Sequence, residues 1–267
     1  MTGQDSRTDD QGRLPTAVDE AAARAGLGAR RAVYPGAQSQ SGSVGCAAAA
    51  VLVLGGIALA LSLTAGTAMA VLPLGLLVLC LIGIPLERST ARKNSGVRLD
   101  LYDRGLTAVV KGRIHAARYE STSVLQNTVR HTGVGGYTSY EYTLTDVAGG
   151  KVVLRGRADG VGEVAEPGRF TDPREWGPAV QDAVTRARLP AAIAALASDG
   201  RHEVGSARES ARWQEIQEIK VFDGVIRLKV AGRWRALTSA AVSTTPNVFV
   251  FLALAERLRE HAHGPTA

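Results

Sequence analysis

One stretch constrains this chain more than any other: between Arg31 and Glu87 there is no Asp, Glu, Lys, Arg or His. Its apolar core runs from Gly45 to Pro85. A helix rises about 1.5 Å per residue and a bilayer's hydrocarbon core is about 30 Å thick, so one span takes about 20 residues. The stretch is about twice that length, too long for one span and right for two. Its weakest point is Thr64-Ala65-Gly66-Thr67. The expected spans are Cys46–Leu63 and Ala68–Leu86, joined by that turn. A secretory signal would be shorter and would start near residue 1, whereas about 45 residues precede this run. A buried hairpin of a water-soluble protein would keep a polar face, and neither half has one. Gly56 and Ala60, four residues apart, would let two helices approach closely in lipid.

Charge sets the expected orientation. Arg30 and Arg31 precede the run, and Arg88, Arg92, Lys93 and Arg98 follow it, while the turn is uncharged. The positive-inside rule then places both termini in the cytoplasm of a multi-pass cell-membrane protein, with the bilayer as integral partner. Cys46 and Cys80 both lie inside the run and read as small apolar side chains, not as a disulfide framework. A formal charge of +6 over 267 residues suits a neighbour of an anionic surface. It is not concentrated enough to argue for nucleic acid, and none is expected.

Residues 1–44 are polar and irregular, and disorder is expected there. Asp19–Ala25 is alanine-rich, but without a clear apolar face it makes only a marginal helix. From Val97 the pattern turns to period two: Val97, Leu99 and Leu101 alternate with Arg98, Asp100 and Tyr102. Further short strands follow at Leu106–Lys111, Ile114–Tyr119, Ser123–Arg130, Tyr137–Val147 and Lys151–Arg155, separated by Gly- and Asp-bearing turns. This spacing predicts an antiparallel sheet or barrel. Trp176–Ala197 reads as a helix, broken or kinked near Pro190.

A second series follows. Ala211–Phe222 and Val225–Val230 flank Asp223-Gly224, a strong two-residue hairpin signal, and Arg233–Leu237 reads as another strand. A helix is expected from Thr245-Pro246, with threonine as cap and Val248, Phe251, Leu252, Ala255 and Leu258 as its apolar stripe. Strands-then-helix thus occurs twice, with a faint repeat in Ala117-Arg118-Tyr119-Glu120 and Ala211-Arg212-Trp213-Gln214.

Three motifs carry a resemblance. Leu101-Tyr102-Asp103-Arg104-Gly105-Leu106, Trp213-Gln214-Glu215-Ile216-Gln217-Glu218-Ile219 and Pro246-Asn247-Val248-Phe249-Val250-Phe251-Leu252 resemble the opening turn, a strand and the closing helix of bacterial membrane proteins with pleckstrin-homology-like (PH-like) domains. Those form a domain-of-unknown-function family. The resemblance covers roughly residues 25–260 and implies an α+β chain: a two-helix transmembrane hairpin followed by antiparallel β PH-like units, each closed by a C-terminal helix. The expected division is a disordered segment at 1–44, the hairpin at 45–86, a first unit at 97–198 and a second, shortened unit at 199–262.

The motifs mark core and turn positions, not a site. Gly133–Gly136 lacks the Lys-Ser/Thr ending of a phosphate loop and lies between strands, so it reads as a hairpin loop. His261 and His263 lack a third ligand, and no Cys/His pair has zinc spacing. Trp176, Trp213 and Trp234 read as packing residues. No catalytic, cofactor or metal residue is expected. What remains is a basic series directly after the apolar run: Arg98, Arg104, Lys111, Arg113 and Arg118, candidates for contact with anionic lipid. The functional expectation is a membrane-anchored, non-enzymatic PH-like module that holds a protein partner or anionic lipid headgroup at the cytoplasmic face. One alternative is an accessory subunit of a transporter-like membrane complex. The other is an enzyme whose residues converge only in three dimensions.

Overall fold

The computed structural model describes residues 16–37, 51–57, 78, 94, 96–133, 135–147, 149–159, 168–199, 203–205, 209–233, 236–237 and 239–263. The alternating strands pair as the sequence suggests, but the first sheet begins much earlier than expected. A helix over residues 16–24 (α1) is followed by β1 (Arg30–Pro35). β1 pairs antiparallel with β2 (Arg98–Tyr102), from Arg30 opposite Tyr102 to Pro35 opposite Arg98. β3 (Gly105–Val110) and β4 (Arg113–Arg118) complete a four-stranded sheet in the order β1-β2-β3-β4. The segment expected to be disordered therefore supplies a strand and a helix. Its burial pattern explains why period-two reading missed the strand: in Arg-Arg-Ala-Val-Tyr-Pro only Tyr34 is buried.

The chain returns to β2 where it left β1. The Asn94 side-chain amide donates to the Ala37 carbonyl at 2.7 Å, and its oxygen accepts from the Gly168 N–H at 2.8 Å. The Gly36 N–H donates to the Val97 carbonyl at 2.8 Å. Asn94, 2% exposed, thus ties three segments together.

The expected membrane hairpin is corrected here. Among the described residues no helix is long and apolar enough to cross a membrane. Within Cys46–Leu63 only residues 51–57 are described, and they are helical (α2). The remainder of that span, the turn at 64–67 and nearly all of Ala68–Leu86 lie outside the described residues. The two-helix transmembrane fold class and the multi-pass cell-membrane localisation with both termini cytoplasmic are not supported. The spans rest on hydropathy and the orientation on flanking charge; hydropathy measures avoidance of water, which does not by itself specify a membrane.

The second sheet holds β5 (Ser123–His131), β6 (Tyr137–Thr145) and β7 (Lys151–Ala158) as an antiparallel meander, with the short β8 (Arg169–Phe170) parallel to β7. A bridge between Gly36 and Phe170 links β8 back to the end of β1, so the two sheets meet along a seam. The inner faces meet in one core that includes Leu99, Leu106, Val124, Leu144, Leu154 and Phe170. The helix α3 (Pro173–Asp199) lies over this core and runs through Pro190 without a break in its helical residues. Trp176, fully buried, contacts Tyr142 and Phe170 edge-on at centroid distances of 5.3 and 6.4 Å. Gly156 lets the helix come this close: an added Cβ would run into Pro173 and would stand 3.0 Å from the Trp176 ring.

The remaining elements are smaller. β9 (Glu203–Gly205) pairs with β10 (Ser210–Arg212), and β11 (Ile216–Phe222), β12 (Val225–Val230) and β13 (Ser239–Ala241) form a three-stranded sheet. Asp223 and Gly224 form the expected two-residue turn, with φ of 50° and 70°. The third strand is Ser239–Ala241, later than the expected Arg233–Leu237, of which 234 and 235 lie outside the described residues. The last helix, α4, spans Val248–His263. It starts after Asn247 at φ 51° and is not capped by Thr245, whose hydroxyl instead donates to Ala241 at 2.8 Å. Asn247 exchanges two hydrogen bonds of 2.8 Å with the Val124 backbone on β5, one through its side-chain oxygen. Val250 of α4 enters the first core, while Ala255 enters a second one with Trp213, Ile216 and Leu228.

Candidate functional site

The β2–β3 turn is fixed from two sides. The Asp103 and Arg104 N–H groups donate to the Ala29 and Leu27 carbonyls at 3.0 and 2.9 Å, and the Tyr119 N–H donates to the Arg104 carbonyl at 3.0 Å. Gly28, at φ +86°, passes so close that an added Cβ would lie 3.1 Å from the Asp103 Cβ. The Asp103 carboxylate accepts from the Ala29 N–H at 3.0 Å and from the Arg31 guanidinium. These contacts, Arg31 foremost, hold its pKa below the usual carboxylate range.

Beside this turn opens a cleft of about 780 Å³ lined by Arg31, Tyr102, Asp103, Arg104 and Glu120 from the sheet side and by Ala183, Arg186 and Ala187 from α3. Residues 183, 186 and 187 share one helical face, and the two alanines leave room for the arginine between them. The charges divide into committed and free ones. Arg31 is paired with Asp103, and Glu120 with Arg118 at 2.8 Å. Arg104 and Arg186 form no ion pair among the described residues, although the Arg104 charge also helps to lower the Asp103 pKa. Behind them lies Tyr119, whose phenol burial pushes well above tyrosine's ordinary range while nearby Arg186 opposes that shift. Two exposed guanidiniums over a rigid turn suit an anionic group such as a phosphate or carboxylate, which a guanidinium can grip through two parallel N–H donors.

The five sequence candidates do not converge. Arg104 lines the cleft, and Arg118 borders it through Glu120. Arg98 binds the fully buried Asp100 carboxylate at 2.8 Å through Nε, on the other end of β2. Lys111 and Arg113 stand at the far end of the β3–β4 hairpin, roughly 20 Å from Arg104 at the strand rise. Arg31 and Arg186 are the cleft residues that sequence reasoning passed over: Arg31 was counted as a flanking charge, and Arg186 lies on a helix far along the chain. Among the described residues no group of three His, Cys, Asp or Glu could hold a metal ion. The Gly133–Gly136 segment joins β5 to β6, with the Gly136 N–H donating to the Gly133 carbonyl at 2.9 Å.

A family of unknown function, DUF6585, matches residues 10–263. The chain belongs to DUF6585. The match runs from ahead of α1 to the end of α4, so the DUF6585 unit includes the N-terminal strand as well as both sheets and the final helix. No curated protein and no solved structure matches the chain.

Proposed function

We propose that the protein is a non-enzymatic binding module, PH-like in its first unit, that takes an anionic group of its partner in the cleft beside the β2–β3 turn. The PH-like reading is supported by the order of elements: two antiparallel sheets meeting at a seam and covered by the helix that follows them. The observation that carries the binding reading is the pair Arg104 and Arg186, two guanidiniums in no ion pair, in a cleft whose acidic groups Asp103 and Glu120 are each paired with another arginine. A lipid headgroup and an acidic protein segment share this chemistry. Calorimetry of the full chain with a soluble inositol polyphosphate in one arm and an acidic peptide in the other separates the two sources. The favoured occupant is the phosphorylated headgroup, whose several charges can engage both arginines. Arg104→Gln with Arg186→Gln should weaken that binding at least tenfold, about 1.4 kcal/mol. It should leave the melting temperature unchanged, because both side chains are exposed. Unchanged affinity in the double variant would sink the proposal, and binding of the peptide alone would assign the cleft to a protein.

A further inference from the structure

A second surface stands apart from the cleft and does not depend on that reading. At the tip of the β11–β12 hairpin two large apolar side chains face water: Phe222 is 65% exposed and Val221 48%. The two-residue turn at Asp223-Gly224 pins the register, with Phe222 opposite Val225, Lys220 opposite Arg227 and Glu218 opposite Lys229. Directly opposed residues of an antiparallel pair share a face, so Phe222, Lys220, Glu218, Arg227 and Lys229 stand on one side of the hairpin, and Val221, opposite Ile226, on the other. The Arg227 guanidinium carbon is 5.7 Å from the Phe222 ring centroid. Glu218 pairs with Lys220 at 2.5 Å and also faces Lys229, so on this side one carboxylate stands among three cations, and Arg227 makes no ion pair among the described residues.

We propose that this tip docks end-on on an anionic lipid surface, with Phe222 from one face and Val221 from the other entering the interface, and the surplus positive charge of Arg227 and Lys229 meeting the phosphates. The spacing fits. At about 3.3 Å per residue the cations stand roughly 7 and 13 Å behind the tip, the depth over which apolar groups give way to headgroups. A protein partner or a second copy fits less well. The two side chains expose apolar area on the order of 200 Å², whereas a stable interface takes about 800 Å² from each side. A bilayer needs no matching surface, only an apolar tip with cations set behind it.

The test uses the full chain with vesicles of phosphatidylcholine, alone or with about one part in three of phosphatidylglycerol. Phe222→Trp should shift its fluorescence to the blue on the anionic vesicles only, judged against the parent with its three native tryptophans. Val221→Ser with Phe222→Ser should cut sedimentation with anionic vesicles at least tenfold while leaving the melting temperature unchanged, since both side chains are exposed. Arg227→Gln with Lys229→Gln should weaken it and flatten its dependence on salt. Sedimentation of the serine variant equal to the parent would overturn the proposal, whichever other part of the chain holds the vesicles. A loss confined to Arg104→Gln with Arg186→Gln would also overturn it, and would assign the lipid contact to the cleft.

Discussion

A chain that begins at Asn94 should fail to fold, although every strand legible by alternation lies after that point. Such a chain loses α1 and β1. Val18 and Leu27 are fully buried and Tyr34 is 9% exposed. At about 1.5–3 kcal/mol for each buried large side chain, their loss removes roughly 5–9 kcal/mol of apolar transfer, against a total stability of about 5–15 kcal/mol for a typical protein. Conformational entropy recovered from the missing residues offsets part of this. The deletion also strips the β1 ladder from β2 and opens the seam, where the Ala37 and Thr171 N–H groups donate to the Arg169 and Pro35 carbonyls at 2.8 and 3.0 Å. The complementary chain keeps residues 16–37 and joins them to Asn94 through about six Gly/Ser residues in place of the 56 residues 38–93. Its ends already meet, since Asn94 bonds to Ala37. Shortening the loop lowers its closure cost by about 2 kcal/mol. Circular dichroism melts decide: the joined chain should unfold cooperatively, and the chain from Asn94 should show no transition. A cooperative melt of the Asn94 chain at the temperature of the joined one would refute the role given to β1, and failure of the joined chain would refute the adjacency of the two ends.

Two further outcomes follow from the first core. Gly156→Val should lower stability by about 1–3 kcal/mol in urea unfolding, because its side chain must push Pro173 and Trp176 away from β7; an unchanged midpoint would mean that α3 does not pack there. Burial pushes the Tyr142 phenol up to about 12, with the Gln181 hydrogen bond opposing. An unfolded tyrosine titrates near 10. Between those values the unfolded chain releases a proton that the fold retains, so stability is full below pH 10 and falls by about 3 kcal/mol as pH rises towards 12. Urea unfolding at pH 8 to 12 should show a shallower decline for Tyr142→Phe, and identical slopes would refute the burial of this phenol as the cause.

The sequence by itself determined the features that a few adjacent residues decide. Leu99 and Leu101 alternate with Arg98 and Asp100, and they form β2. Asp223-Gly224 forms the turn whose positive φ values glycine and aspartate tolerate, and its strands pair in the register that the turn imposes. Trp176–Ala197 lies within α3, where the Pro190 kink expected from local chemistry does not interrupt the helix. Tertiary structure decided what depends on a distant partner. β1 has one buried side chain and no pattern of its own, and it becomes a strand because β2 offers an open edge after the intervening 38–93. Thr245-Pro246 has the chemistry of a helix start, yet α4 starts after Asn247, which is held by Val124 of β5. The cleft follows the same logic. Of the basic series read as one group, Arg98 turns to buried Asp100 and Lys111 stands at the opposite end of its hairpin, while Arg104 gains Arg186 from a helix more than eighty residues away. Charge is visible residue by residue, but which charges are neutralised and which remain free is fixed only when strands and helix bring carboxylates within reach of some arginines and not of others.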